Sequence, residues 1–147
     1  MLFRSNGYNK NHFVHYARKE DKNLYYNHVC RGEDLLALGP TADGFFHDYY
    51  YANEQINKYM AGNKTNNKPL PGGGHLSERE LKLRPLKARL MGANIPVSSI
   101  TEYRIKELID RWRECNLIRE VNGEYRLTGN GSWFINKMVE ELMANGV

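Results

Sequence analysis

The 147-residue chain is short of several things, and each shortage excludes a class of protein. It has two cysteines, Cys30 and Cys115, too few and too scattered for a disulfide framework, so reduced thiols are expected. No C-x-x-C or H-E-x-x-H pattern exists, and His12, His15 and His28 near Cys30 match no strong zinc spacing. No apolar run approaches the ~20 residues of a membrane span, and the polar start MLFRSNG lacks the apolar core of a signal peptide. A cytoplasmic protein with no membrane partner is the expectation. Charge of one sign is also scarce. The net charge is +4, yet residues 1–76 carry 9 Lys+Arg against 7 Asp+Glu and residues 77–147 carry 12 against 10. Neither half has the concentrated basic footprint of a nucleic-acid binder.

The clearest pattern lies in the second half. Ile105, Leu108, Ile109, Trp112 and Cys115 form the stripe of a helix from Thr101 to Asn116 with one buried face. Ser99 and Glu102 suggest a capping box at its start, and Ser77 with Glu80 suggests another. The second box opens a helix carrying Leu81, Leu83, Leu86, Leu90 and Met91, kinked at Pro85. Asn122-Gly123 tolerates the two φ > 0 positions of a type I′ turn, so Leu117–Val121 and Glu124–Thr128 should form a hairpin. Its register would put Ile118 opposite Leu127, Glu120 opposite Tyr125 and Arg119 opposite Arg126. A last helix over residues 130–144 presents Ile135, Met138, Val139 and Leu142, with Gly146 past its end. Helix, helix, hairpin, helix is the winged-helix order. Such a fold invites a DNA-binding reading. However, Glu102–Lys106 and Glu107–Arg111 would neutralise the outer face of the long helix, and Glu124 is the natural partner for the facing arginines. Weak, nonspecific DNA binding at most is expected.

The first half reads differently. Phe13–Tyr16 is a short β-like run. Asp34–Leu38, closed by Gly39-Pro40, suits a strand buried on both faces, as parallel strands usually are. Phe45–Tyr51 is aromatic and strand-prone, and Asn53 can cap a helix through Ile56, Tyr59 and Met60. Residues 62–76, with Gly72-Gly73-Gly74 but without the Lys-Ser/Thr of a P-loop, read as a linker. Three parts result: 1–61, the linker 62–76, and 77–147. The first cannot close a core alone, so its strand edges would recruit further strands, from a longer chain or from a second copy as a homo-oligomer.

Several stretches resemble the oxygen-independent coproporphyrinogen III oxidase family of radical SAM proteins, which includes haem chaperones and anaerobic haem-degrading methyltransferases. His15-Tyr16-Ala17-Arg18 looks like its H-[FY]-A-[RK] strand end, and Asn23–Asn27 resembles its N-L-x-Y segment. Asp34–Gly44, DLLALGPTADG, is similar to its late barrel strand and loop. Asn53–Tyr59 matches its N-x-x-x-x-x-Y helix, and Leu127–Gly131 its L-T-x-x-G. The aromatic run Tyr49–Asn53 leans toward the haem-degrading branch. The resemblance implies an α+β chain, the remnant of a parallel β/α barrel followed by a winged-helix-like C-terminal domain, from an oxidoreductase or methyltransferase of haem metabolism. The parent protein would carry a [4Fe–4S] cluster and S-adenosylmethionine and act on a tetrapyrrole, haem or a porphyrinogen. This chain has no C-x-x-x-C-x-x-C, so it holds no metal and is not catalytic alone, as expected of a piece of a longer protein or a shortened gene product. By the same resemblance His15, Arg18 and the loop Gly39, Pro40, Thr41, Ala42 and Asp43 sit at strand ends facing substrate. Arg18 would pair with a propionate. Alternatives are a stand-alone winged-helix module for nucleic acid or protein, and a haem carrier with His15, His28 or His47 as axial ligand.

Overall fold

The computed structural model describes residues 5–10, 16–21, 24–64 and 72–145. His12, His15 and most of the Phe13–Tyr16 run, the middle of the expected linker, and Gly146 lie outside them. The chain divides into two compact units, residues 1–32 with 82–147, and residues 33–81. Mixed helices and sheets make it an α+β protein.

In the first unit, β1 (Tyr8–Lys10) pairs antiparallel with β2 (Tyr16–Arg18), and α1 (Leu24–Arg31) follows. The chain re-enters this unit within α3 (Glu78–Met91), whose start is fixed by a reciprocal box. The Ser77 amide donates to Glu80 Oε2 at 2.8 Å and the Glu80 amide to Ser77 Oγ at 3.2 Å. Next come β6 (Asn94–Pro96), α4 (Tyr103–Glu114), β7 (Ile118–Val121), β8 (Glu124–Leu127) and α5 (Gly129–Asn145). The sheet order is β6-β8-β7, and the hairpin register is the one its Asn-Gly turn dictates, with Ile118 opposite Leu127 and Arg119 opposite Arg126. Asn122 and Gly123 have φ of 52° and 76°. One core gathers Leu83, Leu86 and Leu90 of α3, Ile105, Leu108, Ile109 and Trp112 of α4, and Ile135, Met138 and Leu142 of α5, closed by Ile95, Ile118 and Tyr125.

Three local expectations differ here. Ser99 does not cap α4: its hydroxyl donates to the Pro96 carbonyl at 2.6 Å, closing the 3-10 turn Val97–Ser99, and the helix starts at Tyr103. Cys115 is exposed because the helix ends at Glu114 in a Schellman turn. Leu117 N donates to Trp112 O at 2.8 Å and Asn116 N to Arg113 O at 2.9 Å, with Asn116 left-handed at φ 54°. The outer charges pair otherwise than by i, i+4 spacing, Arg111 with Glu141 at 3.5 Å and Arg113 with Asp110 at 3.2 Å. Arg126 does take Glu124, at 3.0 Å.

The second unit holds β3 (Asp43–Phe46), β4 (Tyr49–Ala52), α2 (Ile56–Lys64) and β5 (Gly72–His75), the strands forming one antiparallel sheet in chain order. No parallel pair occurs among the described residues. Asp34–Leu38 is not a strand buried on both faces. Leu35 alone forms a bridge, to Phe45, while Leu36 is 67% and Leu38 88% exposed. A run of this kind needs strand neighbours on both sides, and here it has one. Gly72-Gly73-Gly74, expected within a linker, is the third strand, in register with Ala52, Tyr51 and Tyr50. Glycine is demanded there, since a Cβ at Gly73 would fall 2.6 Å from Tyr50 O and 2.7 Å from the Tyr49 hydroxyl.

Candidate functional site

Gly39 to Asp43 lie together on one loop between the Leu35 bridge and β3. Its shape is imposed from outside. Asn53 Nδ2 donates to the carbonyls of Gly39 at 2.8 Å and Ala37 at 3.2 Å. The Asn53 amide donates to Ala42 O at 2.8 Å, and Thr41 N donates to Glu54 O at 3.0 Å. The Tyr51 hydroxyl accepts from Ala37 N at 2.8 Å. Asn53 thus serves the loop instead of capping the next helix, which begins at Ile56. Gly39 and Thr41 are both left-handed, at φ 99° and 61°, and a β-branched residue there is strained. Thr41 and Asp43 are exposed; Gly39, Pro40 and Ala42 are half-buried.

Arg18 ends β2 in the other unit, exposed, with its guanidinium carbon 5.3 Å from the centre of the Tyr8 ring. His15 lies outside the described residues. Of the histidines considered as axial ligands, His28 is exposed on α1, and His47, at φ 53°, is tied to Asp34, whose Oδ2 lies 3.1 Å from its Nδ1 and accepts from its amide at 3.0 Å. A second exposed pair sets His75 Nδ1 2.9 Å from Asp48 Oδ2, and that hydrogen bond holds the Asp48 carboxyl below the usual aspartate range. Sequence reasoning missed Tyr51, Asn53 and both aspartate–histidine pairs. The pairs are 13 and 27 positions apart and leave no local motif. Among the described residues no three His, Cys, Asp or Glu side chains gather as metal ligands. Cys30, half-buried, has its thiol pushed up by that burial, and Cys115 is exposed and free. Two scattered thiols do not fit a [4Fe–4S] cluster, so this chain's donor set supplies no site for one.

The L-T-x-x-G stretch is structural. Thr128 Oγ1 accepts from Gly131 N at 3.0 Å and donates to Asn116 O at 2.7 Å, tying the start of α5 to the turn before β7. Any side chain at Gly131 would collide with the Leu117 carbonyl.

Comparison with known proteins places the chain. No protein-family model matches it. It is 26% identical over 133 residues to the anaerobilin synthase of Escherichia coli O157:H7, an alignment covering 87% of this chain and 30% of that protein. Its fold is similar to that of the coproporphyrinogen III oxidase of Escherichia coli, a radical SAM enzyme, with a TM-score of 0.63 and 16% identity over 95% of this chain and 38% of that one. The chain therefore spans about a third of the length of each protein that it matches. Sequence and fold together relate this chain, at modest identity, to the coproporphyrinogen III oxidase-like radical SAM family.

Proposed function

We propose that this chain forms the C-terminal, cluster-free part of a coproporphyrinogen III oxidase-like protein of cytoplasmic haem or porphyrin metabolism. Residues 1–61 complete a β/α barrel whose cluster-bearing strands lie outside this sequence. Residues 77–147 form a winged-helix-like domain. In this role the chain covers a tetrapyrrole and performs no chemistry alone, the [4Fe–4S] cluster and S-adenosylmethionine belonging to the rest of the parent protein. The carrying observation is that the likeness to a named anaerobilin synthase runs through 87% of the chain while no cluster-ligand triplet exists in it. The residues that would meet the tetrapyrrole are those of the Gly39–Asp43 loop and, by the family resemblance, His15 and Arg18. A guanidinium suits a propionate because its planar fork offers two parallel N–H donors.

Titration with haem and with coproporphyrin III, followed by absorbance and tyrosine and tryptophan quenching, tests the reading. Saturable binding, weakened by Arg18→Ala, is expected. Anaerobic reconstitution should yield no stoichiometric sulfide and no 5′-deoxyadenosine. Absence of tetrapyrrole binding, or sequence-specific DNA binding tighter than about 100 nM at physiological salt, would overturn it in favour of a nucleic-acid module.

A further inference from the structure

Resting on the reading that the Gly39–Asp43 loop meets a tetrapyrrole, we infer that Asn53 is the positioning residue of that loop, acting with Tyr51 and touching no ligand itself. A primary amide nitrogen has two N–H donors, and both of Asn53's find loop carbonyls, Gly39 O at 2.8 Å and Ala37 O at 3.2 Å. The backbone continues the clamp. Asn53 N holds Ala42 O at 2.8 Å, and Glu54 O holds Thr41 N at 3.0 Å. Four positions of the segment, 37, 39, 41 and 42, are thereby tied to two consecutive residues. Tyr51 supports the same segment from the sheet. Its hydroxyl takes the Ala37 amide at 2.8 Å, and its ring packs where a Cβ at Gly44 would come within 2.9 Å of Cζ.

The clamp answers a specific need. Left-handed Thr41 is a conformation that persists only where its surroundings over-determine it. The clamp leaves the Thr41 and Asp43 side chains exposed, so it fixes the loop without occupying its outer surface. Asn53 also differs from a helix cap in the direction of its bonds. A cap accepts from amide N–H groups, whereas this side chain donates to carbonyls. An ionised carboxylate of the same shape has no donor and would face two carbonyl oxygens.

That distinction supplies the test, made on the full 147-residue chain with Asn53→Ala, Asn53→Asp and Tyr51→Phe. Exchange of the N–H groups that the clamp holds, those of Ala37, Thr41 and position 53, reads the loop, haem titration reads the surface, and the melting midpoint of the 82–145 core reads global damage. Both Asn53 variants should raise loop exchange and weaken haem binding by about tenfold, the worth of one or two hydrogen bonds, with the core midpoint unmoved. In Asn53→Asp, lowering the pH through the new carboxyl's titration should restore part of the exchange protection, because the protonated acid donates one of the two bonds. Tyr51→Phe should loosen the Ala37 amide and leave the Thr41 amide, which Glu54 O holds, protected. Unchanged exchange in Asn53→Ala, or no pH rescue in Asn53→Asp, overturns the clamp. A loosened loop with wild-type haem affinity overturns the positioning role and leaves the tetrapyrrole reading standing. Failure of the wild-type chain to bind haem overturns that reading, and this inference with it.

Discussion

Replacing Trp112 by alanine tests the core of the larger unit at its most informative side chain. Trp112 is 2% exposed in the last turn of α4, packed among Leu108, Ile109 and the facing residues of α5. Its indole N–H donates to Glu141 Oε2 at 2.9 Å, so the ring's polar edge is satisfied across the helix pair. Truncation removes the apolar burial and leaves a cavity the helices cannot fully close, a loss of about 3–5 kcal/mol. The hydrogen bond adds little, because Glu141 stays a third exposed and keeps Arg111 at 3.5 Å. Trp112→Phe should therefore cost only about 1–2 kcal/mol, retaining a buried ring and losing the N–H. Urea unfolding followed by far-UV circular dichroism measures both. Fluorescence is a useful second probe, since the other tryptophan, Trp133, is 88% exposed and the blue-shifted emission must come from Trp112 alone. A Trp112→Ala midpoint equal to wild type, or a phenylalanine variant as damaged as the alanine one, would refute the packing argument.

Other expectations follow from single contacts. Gly131→Ala drives a Cβ into the Leu117 carbonyl and should destabilise by about 1–3 kcal/mol, whereas Gly129→Ala, with nothing within 4 Å, should be neutral or stabilising by up to about 1 kcal/mol in thermal melts; equal effects would discount the close approach. The Glu124 carboxyl is held below its ordinary value of 4.5 by hydrogen bonds from Asn94 and then Arg126. A lowered folded-state pKa stabilises above the ordinary value and is lost as pH falls through the lowered one, so Glu124→Gln should flatten the acid limb below about pH 4.5; parallel limbs in pH-dependent melts would contradict this. The exposed Leu36, Leu38 and Phe46 of the 33–81 unit should drive self-association at micromolar concentration, and light scattering showing a strict monomer at about 100 μM would count against it.

The second half was legible because its signals are local and agree with one another. The α4 stripe has helical spacing, Asn122-Gly123 specifies a turn and hence a register, and Ser77 with Glu80 closes its own box. Where two local motifs competed, one lost. Ser99 had a nearer acceptor in Pro96 O, so its apparent capping box never formed. Cys115 continued the apolar period, but the period says nothing about the Schellman turn that ends the helix before it. The first half resisted because its order is set by partners distant in sequence. A run of glycines becomes a strand only because tyrosines of β4 lie over it, and Asn53 reads as a cap until its carbonyl partners 14 and 16 positions back are known.

The two units are held by different physics. Fourteen buried apolar side chains between Leu83 and Leu142 form one cluster, enough to account for a cooperative core. Among the described residues of 33–81 the buried position is a glycine, Gly44, while Leu36, Leu38, Phe46, Ile56 and Met60 face outward. Burial therefore contributes little to that unit by itself, and its shape rests on the sheet, the Asn53 clamp and the two aspartate–histidine pairs. A hydrogen bond open to water has a net worth of only about 0.5–1.5 kcal/mol, and one screened from water resists opening more strongly. Covering the apolar face of this unit would remove water from beside the clamp and stiffen the Gly39–Asp43 loop with no new contact to it. In the proposed role, assembly with the rest of a barrel and readiness of the loop for a tetrapyrrole are then one coupled event. The amides of Ala37, Thr41 and Asn53, whose N–H groups make the clamp's bonds, would report both.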